Sequence, residues 1–317
     1  MSRYIFRRLL MLIPVVLGVA LFIFAIMDFT PGDPAVMILG EGATQEEYAN
    51  LHAKLGLNDP LLLRYARYVW NALHGDFGTS YRTGIPVFQE IATRLPYTFI
   101  LAVASTFIAV IIGIPVGVFS AIKQYSFADD IAIACALLLT SMPGFWFAMM
   151  LILLFSLKLH WLPAMGASSF KNFILPAIAT STASTAALMR MTRSTMLEVI
   201  RQDYIRTARA KGAKESRVIF DHALRNALLP VVTLVGANFG VSLGGTIVIE
   251  QVFAIPGIGQ LMVNAIRTKD TPMVIASLIF TAVCASLANL FVDILYAYID
   301  PRLKAKYTVA KRKKASA

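Results

Sequence analysis

Long runs of apolar residues dominate this chain. They lie at 9–28, 98–122, 131–157, 173–193, 229–249 and 274–299. Each run reaches about the 20 residues that an α-helix needs to cross the hydrocarbon core of a bilayer. The pattern predicts an all-α integral membrane protein with six transmembrane helices. The first is expected at 9–28, and the other five belong to a core domain at 98–300.

The positions of Lys and Arg predict how the chain is oriented. The N-terminal segment 1–8, the turn at 123–130, the stretch 190–225 and the tail 301–317 hold 20 of the 29 Lys and Arg residues. Such residues accumulate on the cytoplasmic flanks of membrane helices. We therefore expect both termini and the basic loop to be cytoplasmic. The same distribution explains the net charge of +11 without a nucleic-acid partner.

Composition and motifs argue against catalysis in this chain. It is 57% hydrophobic and only 15% charged, unlike a soluble domain. Cys135 and Cys284 lie inside apolar runs, where neither a disulfide framework nor a metal site is expected. The sequence contains no Gly-x-x-x-x-Gly-Lys-Ser/Thr motif and no His-Glu-x-x-His motif. We predict no catalytic residue, no metal ligand and no directly bound cofactor.

Residues 29–97 predict a small helical region outside the membrane. Thr44 and Glu47 form a capping-box pattern and Gly56 stands where a helix would end, which predicts a helix at 45–55.

A second external helix is expected after Asp59-Pro60, and a third at 86–93. The apolar side of the second is expected to contain Leu63, Ala66, Tyr68, Val69 and Trp70. About 60 residues form only a marginal core by themselves. We therefore expect this region to lean on the membrane helices or on an external partner.

A polar, basic loop at 194–228 separates the fourth and fifth apolar runs. Its many charges exclude it from hydrocarbon, so it faces water or a protein partner. Ser194 as N-cap and Gly212 as a stop predict a helix at 194–211. A second helix is expected at 216–228, ending where Pro230 begins the next span. Two helices around a glycine corner suit docking, although a solvated basic hairpin needs no partner.

The fifth apolar run carries two stripes at helical spacing. The polar stripe contains Asn238, Ser242, Thr246 and Glu250. The small stripe contains Gly236, Gly240 and Gly244. Glycines on one side admit close contact with another helix. The polar stripe then either lines a water-filled translocation path or forms a satisfied seam between helices.

Two other spans have small or polar positions that packing alone could explain. Gly113 and Gly117 in the second run indicate close helix contact, with a role in the path as the alternative. Thr180, Ser181 and Thr185 make the fourth run unusually polar. Their hydroxyls either bond to the backbone of their own helix or line a pore.

Further candidates for the path lie in the third and sixth runs. Ser141 begins the break Ser141-Met142-Pro143-Gly144, and such breaks occur both at substrate pathways and as simple kinks. Asp293 is an ionisable group at membrane depth. It is either functional or paired in a structural ion pair with an arginine such as Arg190.

The basic loop resembles that of a known family. Tyr204-Ile205-Arg206-Thr207-Ala208-Arg209-Ala210-Lys211-Gly212, followed by His222-Ala223-Leu224-Arg225-Asn226-Ala227-Leu228-Leu229-Pro230, is similar to the inner loop of ABC-importer permeases of the dipeptide and oligopeptide group, which includes nickel and glutathione permeases. Arg206-Thr207-Ala208 stands where the general importer loop has Glu-Ala-Ala, a departure that this group shares. Further similar motifs are Pro31-Gly32-Asp33-Pro34, Gly75-Asp76-Phe77-Gly78, Trp161-Leu162-Pro163 and Asp300-Pro301-Arg302.

This resemblance implies a first-permease (B-type) subunit with the type I ABC-importer permease fold, in the inner membrane of a bacterial or archaeal cell. It implies as partners a homologous second permease, two cytoplasmic ATP-binding subunits and an extracytoplasmic solute-binding protein. ATP and Mg²⁺ would be bound by the partner subunits. An ion-coupled secondary transporter is the alternative, although it would want more intramembrane carboxylates. The residues expected to couple to the ATPase are Asp203, Tyr204, Arg206, Thr207, Ala208, Arg209, Lys211 and Gly212.

Overall fold

The structure is a computed structural model that describes residues 2–30, 33–40 and 42–299. These residues are overwhelmingly helical and form no strand, as the apolar runs predict. Pro31 and Gly32 of the Pro31-Gly32-Asp33-Pro34 motif and the tail 301–317 lie outside the described residues. The α-helices are α1 (Ser2–Phe29), α2 (Pro34–Leu39), α3 (Gln45–Leu55), α4 (Leu61–Leu73), α5 (Val87–Ile122), α6 (Phe127–Ser141), α7 (Gly144–Leu151), α8 (Ile174–Ile200), α9 (Asp203–Ala210), α10 (Glu215–Arg217), α11 (Arg225–Gly245), α12 (Ile247–Val252), α13 (Ile258–Arg267) and α14 (Thr271–Ile299).

Three stretches of described helix are long and apolar enough to cross a membrane: Val87–Ile122, Glu215–Gly244 and Thr271–Val292. The described apolar part of α1 is shorter, at Ile13–Phe29. The fourth predicted span is the 27-residue α8, which is less apolar because of its hydroxyl side chains.

The third predicted span is broken where the sequence indicated. Phe127–Ser141 and Gly144–Lys158 meet at an angle of 102°. Pro143 precedes α7 as its N-cap and has no backbone N–H to continue the hydrogen-bond ladder of α6. The second half continues from α7 into a π-helical segment, Ile152–Lys158.

Close backbone contact joins α5 to α8. A Cβ atom on Gly113 would stand 2.8 Å from the Thr185 carbonyl oxygen, and one on Gly117 would stand 2.6 Å from the Met189 carbonyl oxygen. Only glycine permits this approach. The prediction of close helix contact at these two glycines is therefore confirmed.

The hydroxyl side chains of α8 bond to their own helix. Thr180 donates to the Pro176 carbonyl at 2.8 Å, Ser181 to the Ile178 carbonyl at 2.9 Å and Thr185 to the Ser181 carbonyl at 2.8 Å. These bonds satisfy the hydroxyls without water. Bonding within the helix therefore accounts for these three hydroxyls, and their lining of a pore stays a prediction.

The external region begins with the predicted capping box. The Glu47 backbone N–H donates to the Thr44 hydroxyl, and the Thr44 backbone N–H donates to the Glu47 carboxylate at 2.7 Å. These bonds from Thr44 lower the pKa of Glu47. Gly56 ends α3 in the left-handed region with φ of +66°. The expected helix at 45–55 is confirmed.

No residue of α3 or α4 is buried, so the external region has no core of its own. It leans on membrane helices, because Tyr65 and Tyr68 of α4 pack beside Phe24 of α1 and Ile275 of α14. The third helix expected at 86–93 forms and leads into the second span, but it is not a separate element. Pro86 is the N-cap of α5, which runs from Val87 to Ile122 through Pro96 without a break.

The inner loop differs from its prediction at both ends. Ser194 is not an N-cap but an interior residue of α8, which continues to Ile200 and buries Met196. The short α9 follows after Arg201-Gln202. The second predicted helix does not stop before Pro230, because α10, a π-helical segment and α11 run on without interruption past that residue.

Candidate functional site

A single buried side chain anchors α9. Ile205 is completely buried and packs with Met196 of α8 and with Val218, which follows α10. Its neighbours Tyr204 and Arg206 are exposed. The helix therefore keeps a polar surface in water while one apolar residue holds it against two long helices.

A salt bridge and a glycine corner order the chain after α9. Arg209 donates to Glu215 from Nε at 3.1 Å and from Nη2 at 2.6 Å, which ties α9 to α10. Gly212 has φ of +79°, and its N–H donates to the Arg209 carbonyl at 2.9 Å. Glycine commonly ends a helix in this left-handed conformation. A Cβ atom on Gly212 would meet no described atom within 4 Å beyond its chain neighbours, so the corner is open.

The eight predicted coupling residues form an uneven surface. Ala208 is half-buried against the apolar cluster around Ile205, whereas the other seven are exposed. Arg209 is held by Glu215, and Arg206 faces Asp203 at 3.7 Å. The outward face that a partner would meet contains Asp203, Tyr204, Arg206, Thr207 and Lys211.

A buried ion pair that the sequence reasoning missed clamps the helices beside this loop. The side chain of Asp129 is only 1% exposed, and Arg193 donates to its two oxygens at 2.8 and 2.7 Å. Ser120 and the Tyr125 backbone N–H donate to the same carboxylate. The cluster joins the end of α5, the start of α6 and the last part of α8.

Glu250 is the centre of a second buried cluster, at the opposite end of the core. It is completely buried and accepts hydrogen bonds from the Thr98 and Thr246 hydroxyls at 2.8 and 2.9 Å. It also accepts one from the Gln260 backbone N–H at 3.0 Å. Thr98 accepts in turn from the Ile258 backbone N–H at 2.9 Å. These bonds satisfy the first turn of α13 and attach it to α5 and α12.

Gly257 and Gly259 make room for this carboxylate. A Cβ atom on Gly257 would lie 2.4 Å from the Glu250 carboxyl carbon, and one on Gly259 would lie 2.9 Å from the carboxylate oxygen Oε2. The loop around Pro256-Gly257 thus folds over Glu250. A satisfied seam between helices therefore explains Thr246 and Glu250 within this chain, and their lining of a path stays a prediction.

The glycine stripe of α11 faces α14. A Cβ atom on Gly236 would lie 2.1 Å from a methyl carbon of Val292, and one on Gly240 would lie 2.9 Å from Asn289. The predicted close contact with another helix is confirmed. On the polar stripe, Ser242 is buried, whereas Asn238 is half-buried and its Nδ2 has no hydrogen-bond partner among the described residues.

The structure thus has an exposed basic helix at one end of a membrane bundle and the buried hydrogen-bonded cluster of Glu250 at the other. A family model described as "Binding-protein-dependent transport system inner membrane component" matches residues 113–305, and the model of its N-terminal region matches residues 1–102. The chain belongs to this family. It is a permease-type inner membrane component of an ABC transport system, and it is not itself the ATPase.

Curated relatives of this permease match over nearly the full length. The oligopeptide transport system permease protein AppB of Bacillus subtilis (strain 168) is 43% identical over 96% of this chain and 100% of its own. The dipeptide transport system permease protein DppB of Escherichia coli (strain K12) is 40% identical over the same shares. Neither the family nor these relatives supports the ion-coupled secondary transporter.

A solved structure shows the same fold. A chain of the methionine ABC transporter MetNI, in an inward-facing conformation, has a TM-score of 0.58 and 17% sequence identity. The match covers 67% of this chain and 97% of that chain. This confirms the predicted type I importer permease fold.

Two path candidates of this permease lie away from the Glu250 cluster. Ser141 is exposed at the break between α6 and α7, and its hydroxyl donates to the Leu137 carbonyl at 2.8 Å. The Asp293 side chain lies outside the described residues, so its pairing with Arg190 stays a prediction. Arg190 donates to the Thr140 hydroxyl at 3.3 Å, close to the same break.

Proposed function

We propose that this chain is the first-permease (B-type) subunit of an ATP-driven, binding-protein-dependent importer of dipeptides or oligopeptides. The similarity to an oligopeptide and a dipeptide permease at 40–43% identity supports the peptide substrate. In this proposal the chain forms half of the translocation path with a homologous second permease. An extracytoplasmic solute-binding protein delivers the peptide.

Two cytoplasmic ATP-binding subunits supply the energy and hold the ATP and Mg²⁺. Their contact on this chain is α9 with its corner: Asp203, Tyr204, Arg206, Thr207, Ala208, Arg209, Lys211 and Gly212. The observation that carries this proposal is the complete burial of Ile205 beneath an exposed polar surface. Ile205 packs against α8 and against Val218, which lies in the continuous helical stretch that runs from Glu215 into α11. A partner that moves α9 must therefore also move α8 and this stretch.

This arrangement converts a cytoplasmic motion into a change in the membrane bundle. Closure of the ATPases favours one of two packings of the bundle only if the contact is rigid and differs between them. The Arg209–Glu215 pair and the Gly212 corner provide that rigidity. Both termini then lie in the cytoplasm, on the same side as α9, in the inner membrane of a bacterial or archaeal cell.

The second part of the proposal concerns the translocation path. Its candidates are Asn238, Ser242, Thr246, Glu250, Ser141 and Asp293. Asn238 and Ser141 receive the most support, since one has a buried amide without a partner in the described chain and the other is exposed at a break. Thr246 and Glu250 would reach the path only if their cluster opened.

The coupling role is tested at Gly212. Gly212→Val should abolish peptide uptake by the reconstituted importer while membrane insertion persists, because a β-branched residue is strained at a φ of +79°. Gly212→Asn is the matched control, since Asn tolerates the left-handed region. Uptake is measured with labelled dipeptide in vesicles that contain the binding protein and ATP. Normal uptake by the valine variant would contradict coupling at this corner.

A separate measurement tests the assembly. Purification of the chain from its native membrane in a mild detergent should bring two ATP-binding subunits and a second permease with it. Recovery of the chain without any ATPase subunit would contradict the proposal as a whole.

A further inference from the structure

One face of α4 is apolar and turned away from the rest of the chain. Leu62, Leu63, Trp70 and Leu73 are 68%, 50%, 65% and 77% exposed. With Ala66 they occupy one continuous arc when the helix advances by about 100° per residue. No described residue covers this arc. A contiguous exposed apolar surface of this kind marks an interaction site rather than an ordinary solvated face.

The opposite face of α4 is held against membrane helices. The ring of Phe24 in α1 meets Tyr65 and Tyr68 edge-on, with centroids 5.8 and 5.4 Å apart. Ile275 and Ile279 of α14 belong to the same cluster. The helix therefore packs beside two membrane-spanning elements.

Two polar contacts give the depth of α4 along α1. Arg64 forms a salt bridge with Asp28 at 2.6 Å, at the outer end of the first apolar run. Tyr65 donates its hydroxyl to the Leu17 carbonyl at 2.9 Å. Leu17 lies three turns before Asp28, about 17 Å away at 1.5 Å per residue. Side chains of α4 that reach both positions place it alongside the outer half of α1, and not above it.

We propose that α4 is an interfacial helix whose exposed arc contacts the lipid of the outer leaflet. The contacts of Tyr65 and Arg64 lie on either side of Phe22 of α1, whose side chain is 66% exposed, so α4 lies along the part of α1 that contains this exposed apolar residue. Trp is typical of the membrane–water interface, and an amphipathic helix lies in that plane with its apolar face towards the acyl chains. The polar Arg67 and Asn71 stand at the edge of the arc, and Arg67 bonds to Asp59 on the side of the external region.

Contact with lipid also favours this occupant over a water-soluble partner. A protein that docks from outside would contact the parts of the external region farthest from the membrane before it reached the arc of α4, which lies alongside the outer half of α1. The lipid contact gives the external helices a second attachment, since neither α3 nor α4 contains a buried residue. This inference concerns the membrane surface alone and does not depend on what the chain transports.

Fluorescence quenching tests the proposal in the whole importer. Trp146→Phe and Trp161→Phe leave Trp70 as the sole tryptophan of this chain, and the partner subunits are prepared without tryptophan. The complex is reconstituted in vesicles whose phospholipids carry bromine on the acyl chains. Trp70 should lose most of its emission there, whereas the water-soluble quencher acrylamide should have little effect.

A matched variant moves the probe by one residue around the helix. Asn71→Trp, combined with Trp70→Phe, should reverse the pattern, with weak quenching by brominated lipid and strong quenching by acrylamide. The proposal is overturned if acrylamide quenches Trp70 strongly and brominated lipid does not. It is also overturned if the purified binding protein protects Trp70 from acrylamide, because the arc would then be a protein-docking surface.

Discussion

The two ends of the permease core are held together in different ways. Near α9, the charge of Asp129 is buried but matched by the opposite charge of Arg193. At the other end, Glu250 is also buried, and its donors are the hydroxyls of Thr98 and Thr246 and the backbone N–H of Gln260. The first arrangement joins whole helices at their ends. The second arrangement attaches the short corner between α12 and α13 to α5.

This difference suggests different tasks for the two ends. A paired charge beside α9 gives that helix a firm base, which the proposed coupling to an ATPase would require. The carboxylate of Glu250 holds the corner around Pro256-Gly257 in place through neutral donors. Three substitutions, from the largest expected effect to the smallest, would break or sharpen this comparison.

Breaking the Asp129–Arg193 ion pair near α9 should give the largest loss of stability. Arg193→Met leaves the buried Asp129 carboxylate unpaired, and breaking a buried pair costs about 3–5 kcal/mol. The free energy of unfolding is measured by denaturant titration of the purified complex in detergent. Asp129→Asn combined with Arg193→Met should recover most of the loss, and the exposed Arg201→Met should have little effect. If the single and double variants were equally unstable, the charge would not be the cause.

Substitution of Glu250 should cost less stability than loss of the Asp129–Arg193 ion pair, and the loss should depend on the carboxylate group itself. Glu250→Ala removes the acceptor of three hydrogen bonds, and we expect a loss of about 2–4 kcal/mol because the donors become unsatisfied. Glu250→Gln should also destabilise, because an NH₂ group accepts no hydrogen bond and would replace either the oxygen that accepts from the Thr98 and Thr246 hydroxyls or the one that accepts from the Gln260 N–H. The exposed Glu198→Ala serves as the control in the same titration. Equal stability of the Gln variant and the natural chain would show that the carboxylate is not required as a double acceptor.

The anchor of α9 should give the smallest and most local effect. Ile205→Val removes one buried methylene group, at a cost of about 0.5–1.5 kcal/mol. Because α9 has only eight residues and one buried side chain, the loss should appear as faster hydrogen exchange at 203–210. Exchange in α8 should stay unchanged. The exposed Phe220→Leu is the control, and faster exchange throughout the bundle would contradict a local anchor.

Features that depend on neighbouring residues were predictable. Thr44, Glu47 and Gly56 give a capping box and a C-cap through contacts within one turn, and they formed as expected. The break before Pro143 and the corner at Gly212 follow from backbone rules that act on single residues. The exposed charge of the inner loop likewise follows from its sequence.

Helix boundaries at the inner loop were not predictable in the same way. Ser194 has the chemistry of an N-cap, but burial of Met196 against Ile205 stabilises continuation of α8 to Ile200. Pro230 would end an isolated helix. The helical stretch from Glu215 into α11 nevertheless continues past it, because the helix is packed on both sides of this residue. In both cases tertiary packing outweighed a local preference of about 1–3 kcal/mol.

The amino-acid sequence by itself determined the membrane class, the apolar runs, the break in the third of them and the exposed basic helix with its glycine corner. Hydrophobicity and backbone preference act on residues close together, so these features are visible in the chain. The tertiary structure alone decided that Glu250 meets Thr98, 152 positions away, that Arg193 meets Asp129, and that Tyr65 of α4 reaches Leu17 of α1. Such pairings depend on which helix faces come together, and a stripe of polar residues does not name its partner.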